Sequence, residues 1–186
     1  MRYKNIITVV AMTFSLIGGL APTAATAQEP AAEGPYRLGI GWHSLATACI
    51  WANGTEIGSA IYRFEFDHEC PTTRNSWWFV RARTQNGTPI YHLRLRGTNH
   101  CLSVTGTPQP AEDTQLEPCI GGAHYDDDWY ISYVNSPPPY YFRLRNSDPK
   151  YADYCLQADP NDRFGDVRIQ IGSCTGNSTL LTRSAG

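Results

Sequence analysis

The chain is almost without lysine: its 186 residues include only Lys4 and Lys150. Methionine is nearly as scarce, with two copies. Few segments carry the 3.6-residue apolar spacing of an amphipathic helix, so a helical fold is not expected. The uncharged apolar run from Ile6 to Leu20 is diluted by Thr8, Thr13 and Ser15, and it falls short of the roughly 20 residues a spanning helix requires. No stable membrane anchor is expected. A basic excess is missing too, since 15 Lys and Arg stand against 17 Asp and Glu. Phosphate backbones attract basic surfaces, so nucleic acid is excluded as an expected partner.

The first residues carry Arg2 and Lys4, then the short apolar run, then Ala25-Thr26-Ala27 before Gln28. This order describes a secretory signal peptide over residues 1–27. Cleavage after Ala27 removes two basic residues and no acidic ones, leaving 13 against 17 and a net charge of −4. Residues 28–35 are polar and proline-rich and read as a mobile leader. Residues 36–186 are sized for one domain, in a secreted or extracytoplasmic setting.

Six cysteines remain, as Cys49 and Cys70, Cys101 and Cys119, and Cys155 and Cys174. An even count in an exported chain predicts three disulfides. Six cysteines allow 15 connectivities, and the recurring interval favours pairing within each unit. Each such bridge contributes about 3 kcal/mol in the chain-entropy account. The phrases Cys49-Ile50-Trp51-Ala52, Cys101-Leu102-Ser103-Val104 and Cys155-Leu156-Gln157-Ala158 recur with the same period, which means one supersecondary unit built three times. Alternating runs such as Tyr62-Arg63-Phe64-Glu65-Phe66, His92-Leu93-Arg94-Leu95-Arg96 and Val167-Arg168-Ile169-Gln170-Ile171 predict short strands with one buried face. Turn signals at Asn53-Gly54, Asn86-Gly87, Gly121-Gly122 and Pro137-Pro138-Pro139 separate them. Laid over one another, the repeats open on Tyr36-Arg37-Leu38, Tyr91-His92-Leu93 and Tyr141-Phe142-Arg143, with boundaries near 36–87, 88–137 and 138–186.

These phrases resemble the ricin-B-type lectin domain. The second repeat carries the likeness through Gln115-Leu116-Glu117-Pro118-Cys119 and Trp129, the third through Cys155-Leu156-Gln157-Ala158 and Ile169-Gln170-Ile171. The resemblance implies an all-β fold, a β-trefoil of three pseudo-repeats with one disulfide per repeat. It also implies a non-catalytic carbohydrate-binding module whose partner is a glycan or glycoconjugate. The family sets an Asp two residues after the first cysteine of a binding repeat, where this chain has Trp51, Ser103 and Gln157. The family's stacking aromatic, two residues before the second cysteine, is matched in position by His68, Glu117 and Gly172. Its Gln-x-Trp motif is matched by Ser76-Trp77-Trp78 and Asp127-Asp128-Trp129, and the third repeat has no tryptophan.

Sugar recognition joins an aromatic ring face to side chains that pair with hydroxyls. In the second repeat the candidates are Ser103, Gln115, Asp126 and Asp127, with Tyr125 as the ring. In the third they are Gln157, Asp159, Gln170 and Asn177, with Tyr151 and Tyr154 as rings. The alternative to a glycan is a protein partner, met by a toxin-delivery-type trefoil through an exposed aromatic patch of Trp51, Trp77 or Tyr140. A protease-inhibitor loop over residues 105–114 is a further alternative. The run Asp126-Asp127-Asp128 lacks the Asp-x-Asp-x-Asp-Gly spacing of a calcium loop and reads as a charged surface turn. The arginine pairs Arg81 and Arg83, Arg94 and Arg96, and Arg143 and Arg145 read as outward residues paired with acids. No His-Glu-x-x-His or Gly-x-Ser-x-Gly motif occurs, so neither catalysis, nor a metal, nor a cofactor is expected.

Overall fold

A computed structural model describes residues 31–40, 48–65, 74–105, 110–120, 126–134, 141–148, 153–161, 166–175 and 179–185. Among these residues twelve strands follow one another: β1 Ala32–Ile40, β2 Ala48–Ala52, β3 Ile61–Glu65, β4 Ser76–Gln85, β5 Thr88–Leu95, β6 His100–Val104, β7 Thr114–Pro118, β8 Trp129–Tyr133, β9 Phe142–Asn146, β10 Tyr154–Ala158, β11 Val167–Ser173 and β12 Leu181–Ala185. β1 starts at Ala32, and Ala32 and Glu33 pair with Val80 and Phe79. The end of the segment read as a mobile leader is therefore part of the sheet. The signal-peptide residues lie outside the described residues.

Six strands close on themselves. β1 pairs β4, β4 pairs β5, β5 pairs β8, β8 pairs β9, β9 pairs β12, and β12 returns to β1. Closure leaves no open edge in the ring. The other six strands form the hairpins β2–β3, β6–β7 and β10–β11. These hairpins touch through Ala60↔Gln115, Asp113↔Gln170 and the β3–β11 pairs Arg63↔Val167 and Tyr62↔Arg168. Three hairpins thus cap one ring about a pseudo-threefold axis, each repeat giving four strands.

The core follows from this symmetry. On the ring Trp77 faces Tyr36, Trp129 faces Tyr91, and Leu181 faces Phe142. All of Trp77, Trp129 and Leu181 are fully buried, so a leucine fills the third repeat's tryptophan place. Each indole donates its Nε1–H to a carbonyl of the hairpin above: Trp77 to Ile50 at 3.2 Å and Trp129 to Leu102 at 3.1 Å. Buried indoles need such a partner. Phe79 contacts Tyr36, Tyr91 and Phe142 edge-on, at centroid distances of 5.8, 6.0 and 6.5 Å. The ladder corrects two alignments made from sequence. Phe142, not Tyr141, matches Tyr36 and Tyr91, and the first repeat's motif is Asn75-Ser76-Trp77, because the half-buried Trp78 is one residue past the core.

Two disulfides join Cys101 to Cys119 and Cys155 to Cys174, both with Cα atoms 5.0 Å apart. Each clamps the ends of its own repeat's hairpin. Cys49 is also disulfide-bonded, while Cys70 lies outside the described residues.

Candidate functional site

The hairpin register decides which side chains meet. In β6–β7, Ser103 faces Gln115 and Cys101 faces Glu117. The Val104 amide donates to the Asp126 carbonyl at 3.0 Å, which brings the turn before β8 against this hairpin. A cavity of about 220 Å³ opens here, lined by Ser103, Val104, Thr105, Gln115, Glu117, Pro118, Ile120, Asp126 and Asp127. Ser103, Gln115, Asp126 and Asp127, the second-repeat residues expected from sequence, therefore share one concavity. Tyr125 lies outside the described residues. Glu117 accepts a hydrogen bond from the Gln115 amide nitrogen and belongs to the wall, although the sequence offered it only as a replaced aromatic.

The same register in the first repeat pairs Trp51 with Tyr62 and Cys49 with Phe64. The Ala52 amide donates to the Arg74 carbonyl at 2.9 Å, as Val104 does to Asp126. Trp51, Tyr62, Phe64 and Arg74 thus hold the places of Ser103, Gln115, Glu117 and Asp126. They fill the corresponding space: Phe64 meets the Trp51 ring edge-on at 5.5 Å, and the Arg74 guanidinium lies 4.9 Å above it. The residue in the place of Glu117 is Phe64 rather than His68, because hairpin register and not residue count sets equivalence. Trp51 is 8% exposed and Trp77 is fully buried. The aromatic patch expected from Trp51 and Trp77 is therefore packing, and Tyr140 lies outside the described residues.

Behind the second-repeat cavity is a buried polar cluster. His92 Nε2 lies 2.8 Å from Asp128 Oδ1 and 3.6 Å from Asp127 Oδ2, and Arg83 holds the other oxygen of Asp128. Asp127 is 3% exposed and Asp128 fully buried. The surface turn expected over the three aspartates is thus two-thirds interior, since Arg83 and His92 compensate the buried charge. Neither oxygen of Asp127 completes a hydrogen bond with another side chain. Burial pushes the Asp127 carboxyl up to about 6, and the Asp128 charge adds to this, while the His92 charge and backbone hydrogen bonds from the Asp127 and Ile120 amides pull the other way. Burial lowers the His92 imidazole, but the Asp128 hydrogen bond and the charges of Asp127 and Asp128 outweigh it, and the net displacement is upward. Donor atoms of His92, Asp127 and Cys101 lie within 4.8 Å of one another. The Cys101 sulfur is spent in its disulfide, so the trio is not a metal centre.

No protein-family model and no curated sequence matches the chain. Solved structures do match in shape. The designed threefold-symmetric protein ThreeFoil aligns at a TM-score of 0.62 with 12% identity, over 81% of this chain and 98% of its own. The Macrolepiota procera ricin B-like lectin, solved in complex with lactose, aligns at 0.58 with 14% identity, over 85% and 97%. The Haemophilus ducreyi cytolethal distending toxin aligns at 0.55 with 8% identity, over 80% and 81%. The fold is a β-trefoil.

In this trefoil the third repeat's candidates are used differently. Gln157 faces Gln170, matching Ser103 and Gln115. The Gln157 side chain occupies the space that a Cβ on Gly172 would need, so it folds over its own hairpin. Asp159 accepts from the Asn161 amide at 2.9 Å and closes a turn. Tyr154 packs against the core, and Tyr151 and Asn177 lie outside the described residues. Four of the six paired arginines are engaged separately. Arg81 reaches Thr84, Arg83 reaches Asp128, Arg143 reaches Thr179 and Arg145 reaches Asp153.

Proposed function

We propose that this protein is an exported, non-catalytic carbohydrate-binding module that holds a glycan in the cavity of its second repeat. The supporting observation is the convergence of Ser103, Gln115, Asp126 and Asp127 on one concavity, which offers a hydroxyl, an amide and carboxylates to vicinal sugar hydroxyls. At 220 Å³ the cavity lies below the roughly 300–1,000 Å³ of sites for drug-sized ligands, which favours one sugar ring. The third repeat is the weaker choice because Gln157 takes up its own pocket space. A protein-interaction role loses its basis in Trp51 and Trp77, both packed inside. The likeness to a lactose-bound lectin agrees with a glycan partner.

A glycan array followed by titration calorimetry on the secreted protein tests this role. Binding to at least one neutral or charged sugar, lost on Gln115→Ala, is the expected outcome. Silence across neutral, amino, sialylated and sulfated sugars rejects it.

A further inference from the structure

We propose that the second-repeat cavity selects a sugar bearing a protonated amine, a 2-amino-2-deoxyhexose unit, over neutral and anionic sugars. This rests on the glycan-binding role proposed above and names the chemistry of its ligand. Among the lining residues, Glu117, Asp126 and Asp127 are carboxylates, and none is lysine, arginine or histidine. The neighbouring cations are already engaged, Arg83 on Asp128 and His92 on Asp128 at 2.8 Å. The repeat comparison sharpens the contrast: where the first repeat carries Arg74 over an aromatic filling, the second carries Asp126 beside an open space.

Asp127 supplies the second, separate observation. It is more than nine-tenths buried, lines the cavity, and neither carboxylate oxygen completes a hydrogen bond with another side chain. Its nearest cation is His92, 3.6 Å away and committed to Asp128 at 2.8 Å, so the buried charge is incompletely compensated, and a further cation in a poorly screened site offsets that cost. An ammonium group in the cavity supplies this counter-charge, bonds the more accessible Glu117 and Asp126, and leaves Ser103, Thr105 and Gln115 for the ring hydroxyls. A neutral hexose brings only hydroxyl dipoles. A sialylated or sulfated sugar adds like charge to three acids.

Titration calorimetry of the secreted protein at neutral pH and low salt, using the methyl glycosides of glucosamine and galactosamine, their N-acetyl forms, the parent hexosides and sialyllactose, decides the matter. One amino sugar is expected to bind about tenfold more tightly than its N-acetyl form, the difference between a charged and a neutral hydrogen bond. That margin narrows as salt is raised. Glu117→Gln and Asp126→Asn each shrink the amine preference more than they weaken the N-acetyl sugar, with melting temperature as the folding control. Equal or better binding of the N-acetyl, neutral or sialylated sugars overturns the amine preference and leaves glycan binding standing. Absence of binding across the whole series overturns both.

Discussion

Asp126 and Arg74 hold the same place in two repeats, each carbonyl accepting from the amide of the residue that ends the preceding hairpin's first strand, Val104 or Ala52, at 3.0 and 2.9 Å. One backbone geometry therefore presents opposite charges. Arg74 covers Trp51 and the first-repeat space is filled, whereas Asp126 borders a cavity with Ser103 and Gln115. Equivalent positions of the two hairpins thus present different surfaces because their facing side chains differ.

Gln115 lies in the cavity wall and its strand position needs no particular side chain for the ladder. Gln115→Ala is expected to reduce sugar affinity at least tenfold, the value of about one hydrogen bond at the strong end, while shifting the melting temperature little. Calorimetry and thermal unfolding on the same sample check both halves. Unchanged affinity moves the ligand out of this cavity.

The Asp127 carboxyl, raised from 3.8 to about 6 in the folded protein, holds a proton that the unfolded chain releases. Its contribution to stability is therefore present below pH about 4 and is lost as pH rises through about 6. His92 is displaced in the same direction, so its contribution also declines as pH climbs through its folded value. After screening by solvent and by His92, the Asp127 share is about 1–2 kcal/mol. Urea unfolding from pH 4 to pH 8 is expected to show this decline, and Asp127→Asn is expected to flatten it. A slope unchanged in the variant assigns the proton elsewhere.

Trp129→Ala is expected to cost about 3–5 kcal/mol, as for a large aromatic removed from a close-packed core. It also strands the Leu102 carbonyl, which accepts from the indole at 3.1 Å. Trp129→Leu is expected to cost less, because Leu181 fills the equivalent place in the third repeat. Chemical denaturation of the pair gives the order directly.

Replacing both Cys101 and Cys119 by alanine removes the clamp at the base of β6–β7. A loss of about 3 kcal/mol is expected from the chain-entropy account. Sugar binding, if measured well below the melting temperature, is expected to weaken by less than in Gln115→Ala. An unchanged melting temperature contradicts the stabilising role of this bridge.

The period of the cysteines and the two-residue alternation of strands such as Val167–Ser173 fixed the all-β threefold fold from sequence, because burial on one sheet face imposes its pattern on any chain that obeys it. The same spacing anticipated the Cys101–Cys119 and Cys155–Cys174 bridges. The resemblance to the ricin-B-type lectin domain, and not the spacing, brought Ser103, Gln115, Asp126 and Asp127 forward as a set. Sequence counting failed where loop lengths differ between repeats: Phe64 rather than His68, Phe142 rather than Tyr141, and Trp77 rather than Trp78 emerged only from the ladder.

Linear order determined which residue types recur and how often, and with them the number of repeats and the alternation of their strands. Tertiary structure alone decided that Asp127 and Asp128 are interior, that Trp51 and Arg74 fill one pocket, and that Gln157 folds over Gly172. The physical reason is that burial and charge compensation depend on neighbours brought from distant strands: Arg83 and His92 reach Asp128 across 45 and 36 positions of chain.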